Sequence, residues 1–401
     1  MSRKRPLKIA ISGIGVAGPT LAYWLLRGGQ APTLIESAPR LRTAGYMIDF
    51  WGVGYDVAER MGALPAIRSA GYDLQEVRYV DGRGRCAGRI TAGTMRRELG
   101  DRFTSLARGD LAALLYATVE GRAPARFDTS IVRMAEGADG IRVALSDGTA
   151  ETFDVVVAAD GLHSNVRRLT FGPEQQFENH IGYYVAAFEC DGYRPRDELA
   201  YVSYGSPGRQ ISRFAKHGDR TMFLFVFAAE HLGGFEPTGL ASRKTALLKA
   251  FEDAEWEWPA VRAALIAAED VYFDRVSQIG MLKWSKGRVV AVGDAAACIS
   301  LVGGEGTGLA MAEAYVLAGE LCAADDHVRA FAAYEERLRA FVDAKQDSAR
   351  GFATSFTPRT AFGVWARNQA TKLMAIPGVA GLLVGAQMRD DLDLPDYPFH
   401  G

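Results

Sequence analysis

Residues 9–36, IAISGIGVAGPTLAYWLLRGGQAPTLIE, decide the architecture of the N-terminal part of the chain. An apolar run leads into three glycines spaced G-x-G-x-x-G, and a stretch of helical character, a second apolar run and a single acid follow. The pattern predicts a strand from Leu7 to Ser12, a helix from Val16 to Arg27 and a strand from Pro32 to Ile35. These elements in this order form a βαβ unit, whose strands are parallel and buried.

The three glycines and the closing acid have the spacing of a phosphate-binding turn. Gly13 permits a sharp exit from the strand, Gly15 lets a pyrophosphate approach the backbone, and Gly18 lets the helix pack close to the strand. The helix N-terminus offers free N–H groups to phosphates, and Glu36 can accept hydrogen bonds from a ribose 2′-hydroxyl. The segment therefore predicts a dinucleotide site, with a glycine-rich packing turn as the alternative.

Composition and charge exclude several classes of protein. A net charge of −2 over 401 residues argues against nucleic acid as the main partner. The four cysteines lack C-x-x-C spacing, which predicts reduced thiols in a cytoplasmic protein and neither disulfides nor a metal site. No apolar stretch runs unbroken for the roughly 18 residues that a membrane span needs. With 48% hydrophobic residues, the chain can bury a large core.

Two further segments place an acid at the end of an apolar strand. In VVVAADGLHSNVRR, residues 155–168, Asp160 and Gly161 separate a strand from a helix, and Asp160 serves either a ribose or only the helix as its N-cap. In VVAVGDAAACIS, residues 289–300, Asp294 closes the strand and can accept a bond from a sugar hydroxyl. The segment LVGGEGTGLAM that follows predicts a glycine loop, either an ordinary one or one that faces a flavin ring.

In this order the three motifs resemble those of the class A, single-component FAD-dependent monooxygenases, the aromatic hydroxylases with the p-hydroxybenzoate hydroxylase fold. The resemblance covers nearly the whole chain. It implies an α/β fold: a Rossmann-type FAD-binding domain with an inserted, mostly antiparallel β-sheet substrate domain and a helical C-terminal region. We assign residues 1–72, 100–182 and 270–322 to the FAD-binding domain, 73–99 and 183–269 to the substrate domain, and 323–401 to the C-terminal helices.

The resemblance also implies which residues hold FAD. Arg108, in LARGDLAALL, is the arginine that the family points at the flavin, and Asp160 and Gly161 serve both FAD and the incoming NAD(P)H. Arg42, in RTAGYMIDF, falls where the family places residues at the flavin edge. The full predicted FAD-binding set is Gly13, Gly15, Gly18, Glu36, Arg42, Arg108, Asp160, Gly161, Asp294, Gly303, Gly304, Gly306 and Thr307.

The implied reaction is a monooxygenation in which NAD(P)H reduces FAD, O2 adds to the reduced flavin as a C4a-hydroperoxide, and one oxygen atom passes to the substrate. The family usually has proline where this chain has Leu301 and histidine or tyrosine where it has Ala297, so an altered flavin-side wall is expected. Two alternatives remain open: a reductase or dehydrogenase of the same fold, and a flavin-binding module without turnover. His163 is interpreted as a loop residue and not as a base.

The substrate wall is predicted from the strands between residues 183 and 228. Strict alternation divides RTMFLFVFAA, residues 220–229, into two faces, and we assign Phe225 and Phe227 to the face toward the cofactor. Arg213 is the charge that could meet an acidic or phenolate substrate, unless it is a solvated edge residue. A broad apolar wall predicts a bulky hydrophobic, aromatic or polyketide-like small molecule as substrate of a monomer or homodimer.

Overall fold

A computed structural model describes residues 5–41, 45–300, 304–374 and 392–399. Its strands are β1 (Lys8–Ser12), β2 (Ala31–Ile35), β3 (Met47–Trp51), β4 (Glu76–Val80), β5 (Cys86–Thr91), β6 (Phe103–Ala107), β7 (Ala125–Arg126), β8 (Ile131–Gly137), β9 (Gly140–Leu145), β10 (Ala150–Phe153), β11 (Val155–Ala158), β12 (Glu178–Asp191), β13 (Ala200–Ser206), β14 (Arg209–Lys216), β15 (Arg220–Ala228), β16 (Tyr272–Ile279), β17 (Ser285–Lys286) and β18 (Val289–Ala291).

The helices of the same residues are α1 (Ala17–Arg27), α2 (Gly52–Arg60), α3 (Leu64–Ala70), α4 (Ala92–Leu99), α5 (Arg108–Ala117), α6 (Asn165–Thr170), α7 (Leu240–Ala250), α8 (Trp258–Ala267), α9 (Asp294–Ala297), α10 (Gly306–Ala323), α11 (His327–Phe356) and α12 (Ala361–Leu373). Short 3-10 turns cover Glu174–Gln176 and Ala229–Leu232. In the described part of the chain, no helix is both long and apolar enough to cross a membrane.

A six-stranded sheet forms the centre of the N-terminal layer, in the order β17-β18-β11-β1-β2-β7. All its pairs are parallel except β17 with β18. The central strands are continuous apolar runs, as in the fully buried Val155–Ala158, because helices cover both faces of such a sheet. The predicted βαβ unit is confirmed: β1 pairs with β2, and α1 connects them.

A seven-stranded sheet, in the order β16-β12-β15-β14-β13-β4-β5, forms the second layer. All its pairs are antiparallel except β13 with β4. The hairpin β4–β5 is thus joined to strands more than a hundred residues later in the chain. β16 belongs to this sheet although the predicted boundary at residue 270 assigns it to the FAD-binding domain, because it pairs with β12 over most of its length.

The outer face of the seven-stranded sheet packs against two helices. Phe223, Phe225 and Phe227 of β15 point to this face, where they share a core with Leu247 of α7 and Val261 of α8. All five side chains are fully buried. This face therefore belongs to the folding core of the sheet.

The inner face of the same sheet points toward the N-terminal layer. Met222, Leu224 and Val226 alternate with the phenylalanines of β15 and form a cluster with Met47 of β3 and Ala107 of β6. Strands β3 and β6 pair with each other as a separate two-stranded sheet. They lie between the two layers, since the neighbouring residues Ile48 and Leu106 belong to the core of the N-terminal layer.

The predicted helical C-terminal region is confirmed in its described part, where α11 and α12 follow one another. Residues 392–399, which we call the C-terminal strap, lie across the N-terminal layer. The ring of Phe399 is 4.8 Å from that of Trp24 in α1, and the Pro395 carbonyl accepts a hydrogen bond from the Tyr315 hydroxyl at 2.6 Å. The strap therefore connects the chain end to α1 and α10.

Candidate active site

The three predicted motifs meet at one edge of the six-stranded sheet. β18, β11 and β1 are adjacent and parallel, so their carboxyl ends lie side by side. Gly13 follows β1, Asp160 follows β11, and Asp294 follows β18. Ligands of parallel sheets bind at this edge, where loops and helix N-termini surround the strand ends.

The glycine turn after β1 is closed on one side and open on the other. Gly13 has a φ of +109°, and a Cβ atom there would collide with the Ala159 carbonyl. A Cβ atom on Gly18 would collide with the Gly13 carbonyl, so Gly18 lets α1 approach β1. At Gly15 a Cβ atom would meet nothing within 4 Å. The open side therefore has the room that a pyrophosphate needs.

Glu36 and the start of α1 border the same turn. One Glu36 carboxylate oxygen accepts a hydrogen bond from the Ile14 amide at 2.9 Å, and the other accepts one from the Ala38 amide at 2.9 Å. The N-cap residue of α1, Val16, makes no side-chain capping bond, which leaves the helix N-terminus available to an anion.

Asp160 is bonded mainly to its own neighbourhood. It accepts hydrogen bonds from the Ser164 hydroxyl, from the Val166 amide at 3.1 Å and from the Ser12 hydroxyl at 3.3 Å. Burial raises the pKa of Asp160 against the lowering effect of these bonds. The N-cap residue of α6 is Ser164, and Asp160 supports the first turn of that helix through Ser164 and Val166. Gly161, with φ +81°, has open space at its Cβ position.

Asp294 begins α9 and lies beside the start of α10. Its carboxylate is 3.7 Å from the Cβ position of Gly306, the first residue of α10. Gly304 has open space at its Cβ position, and Thr307 is half-buried in the first turn of that helix. Arg42, Gly303 and Leu301 lie outside the described residues.

Arg108 is the first residue of α5, and its side chain is partly buried. Burial lowers the pKa of the guanidinium, but its neighbours Tyr46 and Asp294 outweigh burial and raise the pKa overall. Burial raises the pKa of Tyr46 itself to about 12. Among the described residues, no carboxylate lies within 4.0 Å of the Arg108 guanidinium.

These observations fit FAD. The space beside Gly15 and the uncapped start of α1 suit its pyrophosphate, and Glu36 suits its adenosine ribose. Asp294, the start of α10 and Arg108 border a second space that suits the flavin end. The predicted residues that the structure describes are therefore brought together, while their contacts to FAD remain a proposal.

A buried carboxyl lies directly behind Asp294. Glu313 of α10 has no exposed surface, and its Oε2 accepts hydrogen bonds from the Gly293 amide at 2.5 Å and the Tyr334 hydroxyl at 3.2 Å. Its Oε1 has no hydrogen-bond partner among the residues that the structure describes. Burial raises the pKa of Glu313 from 4.5 to about 8, so the group is protonated at neutral pH. Sequence analysis missed it because it stands within an otherwise ordinary helical pattern.

The predicted substrate wall is on the wrong face of the sheet. Phe225 and Phe227 point to the outer face, where the Phe251 ring is 5.2 and 5.6 Å from theirs. Both have no exposed surface. The inner face instead presents Leu224 and Val226 to the cluster that contains Met47 of β3 and Ala107 of β6. Alternation separated the two sets correctly, but the choice between them was wrong.

Arg213 is neither a solvated edge residue nor a group that faces a substrate. Its side chain is 2% exposed on the outer face, between Asp197 at 2.5 Å and Glu257 at 2.9 Å. Two carboxylates thus compensate its charge, and the Trp256 ring lies against the guanidinium. Arg213 therefore stabilises the packing of α8 against the sheet.

His163, predicted to be a loop residue, joins the two layers. Its Nδ1 lies 2.9 Å from Glu174, and its Nε2 lies 3.0 Å from Asp274 of β16. The hydrogen bond with Asp274 is the largest of the effects that raise the pKa of His163 to about 9. Asp274 also accepts a hydrogen bond from the Tyr272 hydroxyl at 3.2 Å. No spacing rule connects His163 with Asp274, since the two residues are 111 positions apart along the chain.

Asp49 of β3 is a further acid that the sequence analysis did not single out. Its carboxylate accepts a hydrogen bond from the buried Ser105 hydroxyl at 2.5 Å, and burial raises its pKa. The side chain is nevertheless exposed, since it lines a cavity together with Trp51 and Gly304. A lone acid in the apolar segment MIDFW was the available signal.

Comparison with known proteins gives a consistent result. The model of a family described as FAD binding domain matches residues 7–348. A flavin-dependent monooxygenase of Legionella longbeachae is 32% identical over 367 residues, which cover 90% of this chain and 88% of the relative. The structure of the tetracycline destructase Tet(55) has 31% identity and a TM-score of 0.84, with 98% and 99% coverage. Klebsiella pneumoniae HpxO, complexed with FAD and uric acid, shares the fold at 21% identity, a TM-score of 0.75 and 95% coverage of both chains.

Proposed function

The chain belongs to the FAD-dependent monooxygenases, and from this premise we propose that it oxygenates a flat, fused-ring molecule with several rings. The family confirms the predicted resemblance, fold class and activity: an oxidoreductase that holds FAD and uses NAD(P)H and O2 to insert one oxygen atom into a small molecule. It does not support the alternatives of a reductase or of a module without turnover.

The floor of the inner sheet face supports this substrate class. One row of paired residues crosses the sheet in the order Tyr272, Ala187, Leu224, Ser212, Ser203 and Tyr79. Tyrosines thus stand at both ends of the row, and the two adjacent serines form a low centre between Leu224 and Tyr79. Adjacent strands are about 4.8 Å apart, so the row extends over roughly 24 Å. A long row with this low centre suits a wide, flat molecule better than a single ring.

This floor has few polar side chains, and most of them form hydrogen bonds with one another. The Ser203 and Ser212 hydroxyls are 2.8 Å apart, and both side chains are buried. Leu224 within the row and Val226 beside it add aliphatic surface. Such a surface binds an apolar substrate by excluding water. A small number of polar groups at the ends of the surface then orient the substrate. Bound FAD supplies the redox chemistry, and the sheet holds the substrate carbon near it.

Relatedness supports the same substrate class. Tet(55), at 31% identity over nearly the full chain, is a tetracycline destructase. Tetracycline itself has four fused rings and is therefore a suitable first probe. A single-ring aromatic acid such as p-hydroxybenzoate is the matched small probe.

The test measures O2 uptake, NAD(P)H oxidation and product mass with both probes. We expect a product 16 Da heavier from the fused-ring probe, or a fragment derived from it, and no product from the single ring. Ser212→Leu fills the low centre and should abolish that product, whereas Ser212→Ala, which removes the same hydroxyl without adding bulk, should retain it. Product from the single ring alone, or equal activity of the two variants, would contradict the proposal.

A further inference from the structure

Helix α12 covers one end of the inner sheet face, and two glycines allow its close approach. A Cβ atom on Gly88 of β5 would collide with Thr371 of α12. A Cβ atom on Gly205 of β13 would lie 2.7 Å from the Nη2 atom of Arg367. Gly205 therefore leaves the space in which the Arg367 guanidinium lies on the sheet.

The hydrogen bonds of Arg367 all go to neutral groups. Its Nη1 donates to the Gln210 side-chain oxygen at 2.8 Å and to the Phe356 carbonyl at 3.0 Å. Its Nε and Nη2 both donate to the side-chain oxygen of Asn368, at 3.3 and 3.1 Å. A guanidinium has five N–H groups. Within the described residues, the second N–H of Nη2, the atom nearest Gly205, has no acceptor.

The charge of Arg367 has no counter-charge in the described part of the chain. No carboxylate lies within 4.0 Å of it there, in contrast to the two around Arg213. The guanidinium lies 4.2 Å from the centre of the Tyr79 ring. Burial lowers the pKa of Arg367. Removing a cation from water without an anionic partner is costly, and a bound anion would offset that cost.

We propose that Arg367 binds an anionic group of the substrate, a carboxylate or an enolate. The inference rests on the proposed function, because Tyr79 and Gln210 lie on the floor described above. Arg108 belongs to the proposed FAD site. Asp49 lies near Tyr201, at the other end of β13 from Gly205. Burial raises the pKa of Tyr201, and the nearby charge of Asp49 raises it further. From Tyr201 to Gly205 the strand extends about 13 Å.

The opposite charges of Arg367 and Asp49, at the two ends of β13, therefore orient an anionic substrate. An anionic group is repelled by Asp49 and attracted by Arg367, so it lies at the α12 end of the floor. The ring system then extends along β13 toward Asp49 and the space beside Arg108. The proposed substrate is accordingly an elongated fused-ring acid or enol, and Arg367 sets its direction.

The test compares two probes of one shape on the oxidised, FAD-loaded protein. Anthracene-2-carboxylate and anthracene-2-carboxamide have nearly the same shape, and the amide replaces one carboxylate oxygen and the negative charge by a neutral NH2 group. Their binding is followed by the change in the flavin absorption spectrum, without NAD(P)H and without turnover. Wild type should bind the carboxylate more tightly. Arg367→Gln should weaken carboxylate binding roughly ten- to a hundredfold and leave carboxamide binding within about twofold.

Lys372→Gln is the matched control, since Lys372 is an exposed cation in the last turn of the same helix. It should change the affinity of neither probe by more than about twofold. Equal affinities of wild type for the two probes would overturn the proposal even if Arg367→Gln fails to fold. An equal loss of both probes in Arg367→Gln, or an equal loss of the carboxylate in Lys372→Gln, would also overturn it. Absence of any fused-ring binding or product would instead contradict the proposed function.

Discussion

Gly15 is the residue at which cofactor binding can be separated from folding. A side chain there meets no protein atom within 4 Å, so Gly15→Val should fold as wild type does. The valine would occupy the space that the pyrophosphate needs, and FAD should be lost. The measurement is the flavin content of the purified protein, together with its circular dichroism spectrum.

Gly18→Val provides the contrast at the same turn. Its side chain would collide with the Gly13 carbonyl, so this variant should lose stability whether or not FAD is present. A yellow Gly15→Val protein with the full complement of flavin would remove this turn from the proposed FAD site.

Glu313 should make stability depend on pH in a defined direction. Folding raises its pKa from 4.5 to about 8, so the folded state binds a proton that the unfolded state releases over that window. Its contribution to stability is therefore complete below pH 4.5 and is lost as the pH rises through about 8. The slope is at most about 1.4 kcal/mol per pH unit.

Glu313→Gln imitates the protonated group at every pH and keeps an acceptor for the Gly293 amide. The variant should match wild type near pH 5 and exceed its free energy of unfolding above pH 8. Denaturant unfolding between pH 5 and 9 measures the difference. His163, with a pKa of about 9, also loses its contribution as the pH rises, so the comparison uses the difference between the two proteins and not either curve alone. A constant difference across the range would show that Glu313 does not titrate there.

At the scale of the element, adjacent residues of β15 should have different effects. Phe225→Ala removes a ring from the outer core and should cost about 3–5 kcal/mol of stability. It should leave the ratio of product formed to NAD(P)H oxidised unchanged. Leu224→Ala enlarges the inner face and should lower that ratio, because a loosely held substrate leaves the reaction uncoupled. If Phe225→Ala lowers the ratio and Leu224→Ala does not, the inner face is not the substrate side.

Strand β15 also shows which structural features the sequence predicts and which it does not. Side chains of a strand point alternately to its two faces, and this rule correctly placed Met222, Leu224 and Val226 on one face and the phenylalanines on the other. Both groups are apolar, however, and the layers that cover them come from distant parts of the chain. A local pattern states which residues share a face, and it does not state which layer that face meets.

The proposed FAD-binding edge of the six-stranded sheet could be predicted because its residues lie close together in the sequence. Strand, glycine turn, helix and acid follow one another within residues 9–36, so their mutual positions are set locally. The counter-charges of Arg213 are 16 and 44 residues away along the chain, and no spacing rule connects them. Arg213 therefore looked like a lone charge in the sequence.

At the scale of the whole molecule, the C-terminal strap should contribute to stability through one glycine. Gly319 of α10 lies directly under the Tyr397 ring, and a Cβ atom there would overlap that ring. Gly319→Ala should displace the strap, cost about 1–3 kcal/mol and lower the thermal midpoint. Detachment should also speed the release of the last residues by carboxypeptidase.

Gly351→Ala is the control for changing a helical glycine. Gly351 is exposed in α11 with open space at its Cβ position, so alanine should stabilise the protein by up to about 1 kcal/mol. Similar responses of the two variants would mean that the strap does not depend on the space above Gly319.

The division of the seven-stranded sheet into two faces has a consequence for how the enzyme can change over time. Replacements on the phenylalanine face remove part of the core that the sheet shares with α7 and α8, whereas replacements at Ser203, Ser212 or Leu224 alter the inner face without touching that core. The sheet thus separates positions that hold its outer core from positions that face the proposed substrate. Under the proposed function, single replacements on the inner face can shift substrate preference while the outer core stays intact.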